Sequence, residues 1–99
     1  MNTIPLQATP AQTLRATVDG LNLAITLQTL RGALYATVDC NGVAVCAGRR
    51  VRDRAVITDR ARELGFPQLR LFMADLRGTD DPAWQELGTR FKLFNAPGT

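Results

Sequence analysis

Residues 13–47 read TLRATVDGLNLAITLQTLRGALYATVDCNGVAVCA, and apolar side chains recur at every second position along most of this stretch. Leu14, Ala16 and Val18 are followed by Leu21, Leu23, Ile25 and Leu27, then by Leu34, Ala36, Val38 and Cys40, then by Val43, Val45 and Ala47. A period of two puts each set on one face of a strand. The breaks fall at Asp19-Gly20, Arg31-Gly32 and Asn41-Gly42, each of which can close a two-residue hairpin loop. If all three do, Val18 stands opposite Leu21, Ala16 opposite Leu23 and Leu14 opposite Ile25. Leu27 then faces Ala36, Ile25 faces Val38, Val38 faces Val45 and Ala36 faces Ala47. Every apolar set lands on the same face of one antiparallel meander, whereas a one-residue slip would expose a whole strand's worth.

Beyond Arg52 the pattern changes. Ile57, Ala61 and Leu64 have helical spacing, and Gly65 is placed as a C-terminal stop, which predicts a short helix over 58–64. Leu69, Leu71 and Met73 alternate again as a strand. Asp81-Pro82 reads as N-cap and first helical position, with Gly88 as the stop of a one- to two-turn helix around Trp84. Phe91 and Leu93 form a closing strand. A four-stranded sheet with one apolar face needs a cover, which the C-terminal strands and short helices must supply. The expected fold is all-β: a small β-sandwich or partly open β-barrel built on an antiparallel meander, with one or two short helices. Ninety-nine residues without repeat, linker or low-complexity tract suit one domain over 1–99.

Composition narrows the function. The chain is 45% hydrophobic and 21% charged, with a formal charge of +3, and every basic residue except Lys92 is arginine. Arginine favours bidentate and stacking contacts over diffuse positive charge. The absence of histidine removes the commonest general base and metal ligand. No Gly-rich phosphate loop is present, and no nucleophile has a base beside it, so neither enzyme nor cofactor is expected. Asp80 and Asp81 are adjacent, but a cap accounts for the second. No apolar run approaches the ~20 residues of a membrane span, and the N-terminal segment has no signal-peptide pattern.

The cysteines and arginines share one segment. In the expected third hairpin Cys40 pairs with Val43 on the core face, while Cys46 pairs with Thr37 on the other face, roughly 10 Å along the strand. A disulfide wants Cα atoms within about 7 Å, so free thiols are expected, with no metal site. Arg49, Arg50, Arg52, Arg54, Arg60 and Arg62 crowd the next residues, interleaved with Asp53, Asp59 and Glu63. A solvated, partly self-paired face, a protein–protein contact and a nucleic-acid surface all remain open. The last lacks exposed aromatic residues for base stacking. Trp84 lies in an element too short to be stable alone and is expected to pack over the sheet or to fill a partner's pocket.

Several short motifs succeed one another along nearly the whole chain. They are Ile4-Pro5-Leu6, Leu34-Tyr35 entering a strand that ends at Gly42, Leu64-Gly65-Phe66, Asp81-Pro82, and Leu87-Gly88-Thr89-Arg90 before the closing strand. In this order and spacing they resemble the baseplate plug proteins of contractile-tailed bacteriophages, the cyanophage baseplate plug type. The resemblance implies a structural virion protein at the tail axis, where tube, hub and tape-measure protein meet, assembled in the host cytoplasm. A plug on that axis should form a ring of copies, a trimer first and a hexamer second, with no small-molecule substrate and no membrane. The six arginines from Arg49 to Arg62, with Trp84, are the expected protein-contact residues. A small nucleic-acid-binding β-barrel using the same arginines is the alternative.

Overall fold

The computed structural model describes residues 2–18 and 20–96. Its strands are β1 (Asn2–Ile4), β2 (Ala11–Val18), β3 (Leu21–Leu30), β4 (Ala33–Cys40), β5 (Val43–Arg50), β6 (Leu71–Asp75) and β7 (Phe91–Asn95). They form two antiparallel sheets, a four-stranded one in the order β2-β3-β4-β5 and a three-stranded one in the order β1-β7-β6. Neither closes into a barrel. The apolar face of the meander is covered by the second sheet, as the need for a cover required.

Across the first two hairpins the register follows the apolar alternation. Val18 faces Leu21, Leu14 faces Ile25, Ile25 faces Val38 and Leu27 faces Ala36. Both residues of Arg31-Gly32 and of Asn41-Gly42 have positive φ, the turn whose twist matches that of paired strands. Asp19 lies outside the described residues. The Asn41 turn is also tied sideways, since the Asn22 N–H donates to Asn41 Oδ1 at 2.9 Å and the Asn41 N–H to the Asn22 carbonyl at 2.8 Å.

The third hairpin departs from expectation. Cys40 faces Val43, but Val38 faces Cys46 rather than Val45, and Ala36 faces Arg49 rather than Ala47. Two extra residues in β5 cause this, one on either side of Cys46. Gly48 takes φ +59° within the second bulge, and its N–H turns to Thr37 Oγ1 at 2.9 Å instead of completing the ladder. Cys46 is therefore not opposite Thr37 on the outer face; it packs half-buried against the core. Of the expected inward set in β5, only Val45 is buried, while Val43 and Ala47 are exposed. Both cysteines are free, and burial pushes both thiols above their ordinary pKa.

In the covering sheet, Ile4, Leu71, Met73, Phe91 and Leu93 meet Leu23, Ile25, Leu27, Leu34 and Val38 in one core. Each such side chain contributes about 1.5–3 kcal/mol by leaving water. Strand β1 was not anticipated, because three residues are too few to show a period. Residues 51–57 run beside β6, with the Arg54 N–H on the Met73 carbonyl and the Ile57 N–H on the Leu71 carbonyl, both at 2.7 Å.

The two expected helices shrink. Residues 58–65 form successive turns with one bond of α-helical spacing, from the Leu64 N–H to the Arg60 carbonyl. Gly65, at φ +92°, stops the segment after that turn, and the Phe66 N–H reaches back to the Ala61 carbonyl at 2.8 Å. Around Trp84 there is a 3₁₀ turn, Trp84–Glu86, whose N-cap is Ala83 and not Asp81. The Asp81 carboxylate is engaged elsewhere, accepting the Asp53 N–H at 3.0 Å. Trp84 itself lies half-buried against the core.

Gly88 is where the motif before the closing strand touches the N-terminal segment. At φ +86° a Cβ here would come within 2.5 Å of the Leu6 carbonyl oxygen, whereas one at Gly42 would meet nothing within 4 Å. Gly42→Ala should cost about 1–2 kcal/mol of left-handed strain. Gly88→Ala should cost roughly 2–5 kcal/mol, because strain and overpacking add. Urea unfolding of the two variants checks this, and equal losses would contradict the close approach.

Candidate protein-contact surface

The arginine segment begins where β5 ends and continues along the edge of β6. Arg49 pairs with Asp59, both partly exposed. Arg52 approaches Asp81 at 3.9 Å on the surface. Arg54, with a left-handed backbone, stays half exposed but bonds to the carbonyls of Gly78 and Asp75, each at 3.1 Å, and to the Asp53 carboxylate. Arg50, Arg60 and Arg62 are exposed and make no ion pair among the described residues. Arg62 and Arg70 flank a shallow cleft of about 280 Å³ floored by Val56 and Leu69. The segment thus divides into one structural arginine, two on weak surface pairs and three without an acidic partner.

A buried carboxylate beside this segment is taken by an arginine from outside it. Asp75, at the end of β6, is completely buried, and its carboxylate takes a bidentate grip from Arg90, Nε to Oδ1 at 2.8 Å and Nη2 to Oδ2 at 2.7 Å. The N–H groups of Arg77 and Asp80 complete its shell at 2.8 and 3.0 Å. Arg90 Nη2 also reaches Asp80 at 2.6 Å, and the guanidinium lies 5.0 Å from the centroid of the Phe91 ring. Asp53 adds a second carboxylate, accepting the Asp75 N–H at 2.7 Å. The Arg90 guanidinium holds the Asp75 carboxyl far below the usual carboxylate range, against the opposing effect of burial. Asp75, and after it Asp80, raise the Arg90 pKa in turn.

Asp80 and Asp81 are therefore both committed, one to Arg90 and the other to the Asp53 N–H and Arg52. Adjacent in sequence, they serve different partners. Among the described residues no group of three metal-ligating side chains occurs, and no helix is long and apolar enough to cross a membrane. Sequence reasoning missed Asp75. The one available signal was a carboxylate ending an otherwise apolar run, Leu71 to Asp75, with an arginine in the motif before the next strand.

A family model described as the cyanophage baseplate Pam3 plug gp18 matches residues 1–97. No curated protein matches the chain.

The Asp75–Arg90 pair predicts a pH signature. Because the folded-state pKa of Asp75 is depressed, its contribution is complete above the ordinary aspartate value of ~3.9 and fades as pH falls below it. At neutral pH, Arg90→Ala should lower the melting temperature far more than Arg49→Ala, whose exposed pair is worth less than about 1 kcal/mol. The gap between wild type and Arg90→Ala should narrow as pH falls through the acid range, because without Arg90 burial lets Asp75 take up its proton in the variant first, while the wild type keeps its pair. Melting curves that stay parallel down to low pH would contradict this.

Proposed function

The chain belongs to the cyanophage baseplate plug family, and from that membership we propose that it is a structural tail protein that closes the tail-tube axis and contacts hub, tube or tape-measure protein. The observation that carries the reading is the family match over nearly the whole chain. The charge arrangement supports it. Six of the nine acidic residues (Asp53, Asp59, Asp75, Asp80, Asp81 and Glu86) engage the chain's own arginines, while Arg50, Arg60 and Arg62 are exposed and have no acidic partner among the described residues. A guanidinium fork binds carboxylates or carbonyls of an adjoining chain bidentately. We take Arg50, Arg60 and Arg62 as the chief contacts, with Arg49 and Arg52 able to exchange weak internal pairs for a neighbour's acids. Arg54 is assigned to the fold instead. The exposed part of the Trp84 indole is a further contact.

A plug on the tube axis must match the cyclic symmetry around it, so several copies should form a ring, a trimer first and a hexamer second, in a contractile tail assembled in the host cytoplasm. No enzymatic step is assigned to it.

Changing Arg50, Arg60 and Arg62 together to Ser should leave the melting temperature nearly unchanged, since exposed substitutions usually cost within about 0.5 kcal/mol. Incorporation into tails should nevertheless fail. Arg54→Ser should instead destabilise the isolated chain, because it strips donors from the Gly78 and Asp75 carbonyls. The assignment would be overturned if the triple variant assembled normally while the wild-type chain bound short oligonucleotides with steep salt dependence.

A further inference from the structure

The two sheets have four edges, and three are blunted. Strand β5 carries two bulges, β6 is lined by residues 53–57, and β1 is only three residues long. Strand β2 differs. It runs eight residues, Ala11–Val18, without proline or bulge, and among the described residues no strand pairs with its outer side.

Which groups face that open side follows from the ladder. Asn22 bonds across to Asn41, so the even residues of β3 serve β4 and the odd ones serve β2. Val18, Ala16, Leu14 and Gln12, opposite those odd residues, therefore spend their backbone groups inward. Thr13, Arg15 and Thr17 direct N–H and C=O outward, as does Ala11, whose carbonyl accepts the Thr9 hydroxyl at 3.1 Å. On the core face, Leu14 and Ala16 are only half-buried, while their partners Ile25 and Leu23 are buried. The core is thus left open along the same edge.

We propose that β2 is a strand-addition site that takes an extended segment of another protein, with apolar side chains inward beside Leu14 and Ala16 and a carboxylate outward beside Arg15. Arg15 selects this occupant over a second copy. It makes no ion pair among the described residues, and antiparallel self-pairing near the strand centre would bring two Arg15 guanidinium groups together on one face. The inference rests on the chain being an assembled tail component, and it concerns a surface separate from the arginine segment.

Amide hydrogen exchange on the free full-length chain and on purified tails containing it provides the test. The amides of Thr13, Arg15 and Thr17 should exchange rapidly in the free chain and at least about tenfold more slowly in tails. Thr13→Pro removes an outward N–H at an edge position where proline is tolerated, and should block incorporation. Arg15→Glu leaves the backbone donors intact and should reduce incorporation through charge alone. Equal exchange rates in both states, or normal incorporation of both variants, would overturn the proposal. So would a free chain that sediments as a dimer with these amides already slow, since a second copy would then occupy the edge. A chain absent from tails altogether would overturn the virion reading, and this inference with it.

Discussion

A carboxylate with no access to water must be neutralised where it stands, and Asp75 meets that condition through Arg90. Leaving such a charge buried and unpaired is among the larger penalties a fold can carry. The pair joins the end of β6 to the residue preceding β7, and its surroundings extend the tie. The Asp75 carboxylate collects the N–H groups of Arg77 and Asp80, its own N–H goes to Asp53, and its carbonyl takes Arg54. The loop of residues 76–81 and the segment beside β6 that carries Asp53 and Arg54 are thereby tied to one ion. The covering sheet depends on that loop, because β6 and β7 are adjacent and their far ends meet at this site.

The same arrangement decides what is left for other molecules. A net charge of +3 on this chain is not spread evenly over the surface. Most acidic groups are drawn into the network or into surface pairs, and part of the arginine segment is left without internal partners. A structural protein that docks among others needs donors that its own fold has not used, and arginine supplies them in a rigid fork. The architecture therefore separates two uses of one residue type: Arg54 and Arg90 are bonded within the fold, whereas Arg50, Arg60 and Arg62, which we propose for neighbours, have no acidic partner among the described residues.

The meander from β2 to β4 was legible in the sequence because turn dipeptides and apolar alternation agreed independently on one register. Strand β5 was not, since a bulge adds a residue without altering local composition; Val45 stays buried while its expected partner changes. The helix over 58–64 was half legible. Ile57 and Ala61 are buried as their spacing required, but Leu64 is exposed and Gly65 ends the segment after a single turn. Asp81-Pro82 carried a capping signal that failed because the carboxylate was claimed by the Asp53 N–H, a contact 28 residues away. The arginine segment could be located from sequence, but its division into structural and unpaired members could not. That division depends on Asp75, Asp81 and Asp59, which only the folded chain brings within reach.

The central claim is that Arg90 is committed to the fold while Arg50, Arg60 and Arg62 are committed to other chains. A reconstruction of the assembled baseplate at side-chain resolution tests it most directly. The account predicts Arg90 still seated on Asp75, with guanidinium groups of the other three within hydrogen-bond distance of carboxylates or carbonyls of a neighbouring protein. Finding those three facing solvent, or finding Arg90 withdrawn from Asp75 to bind a partner, would contradict it.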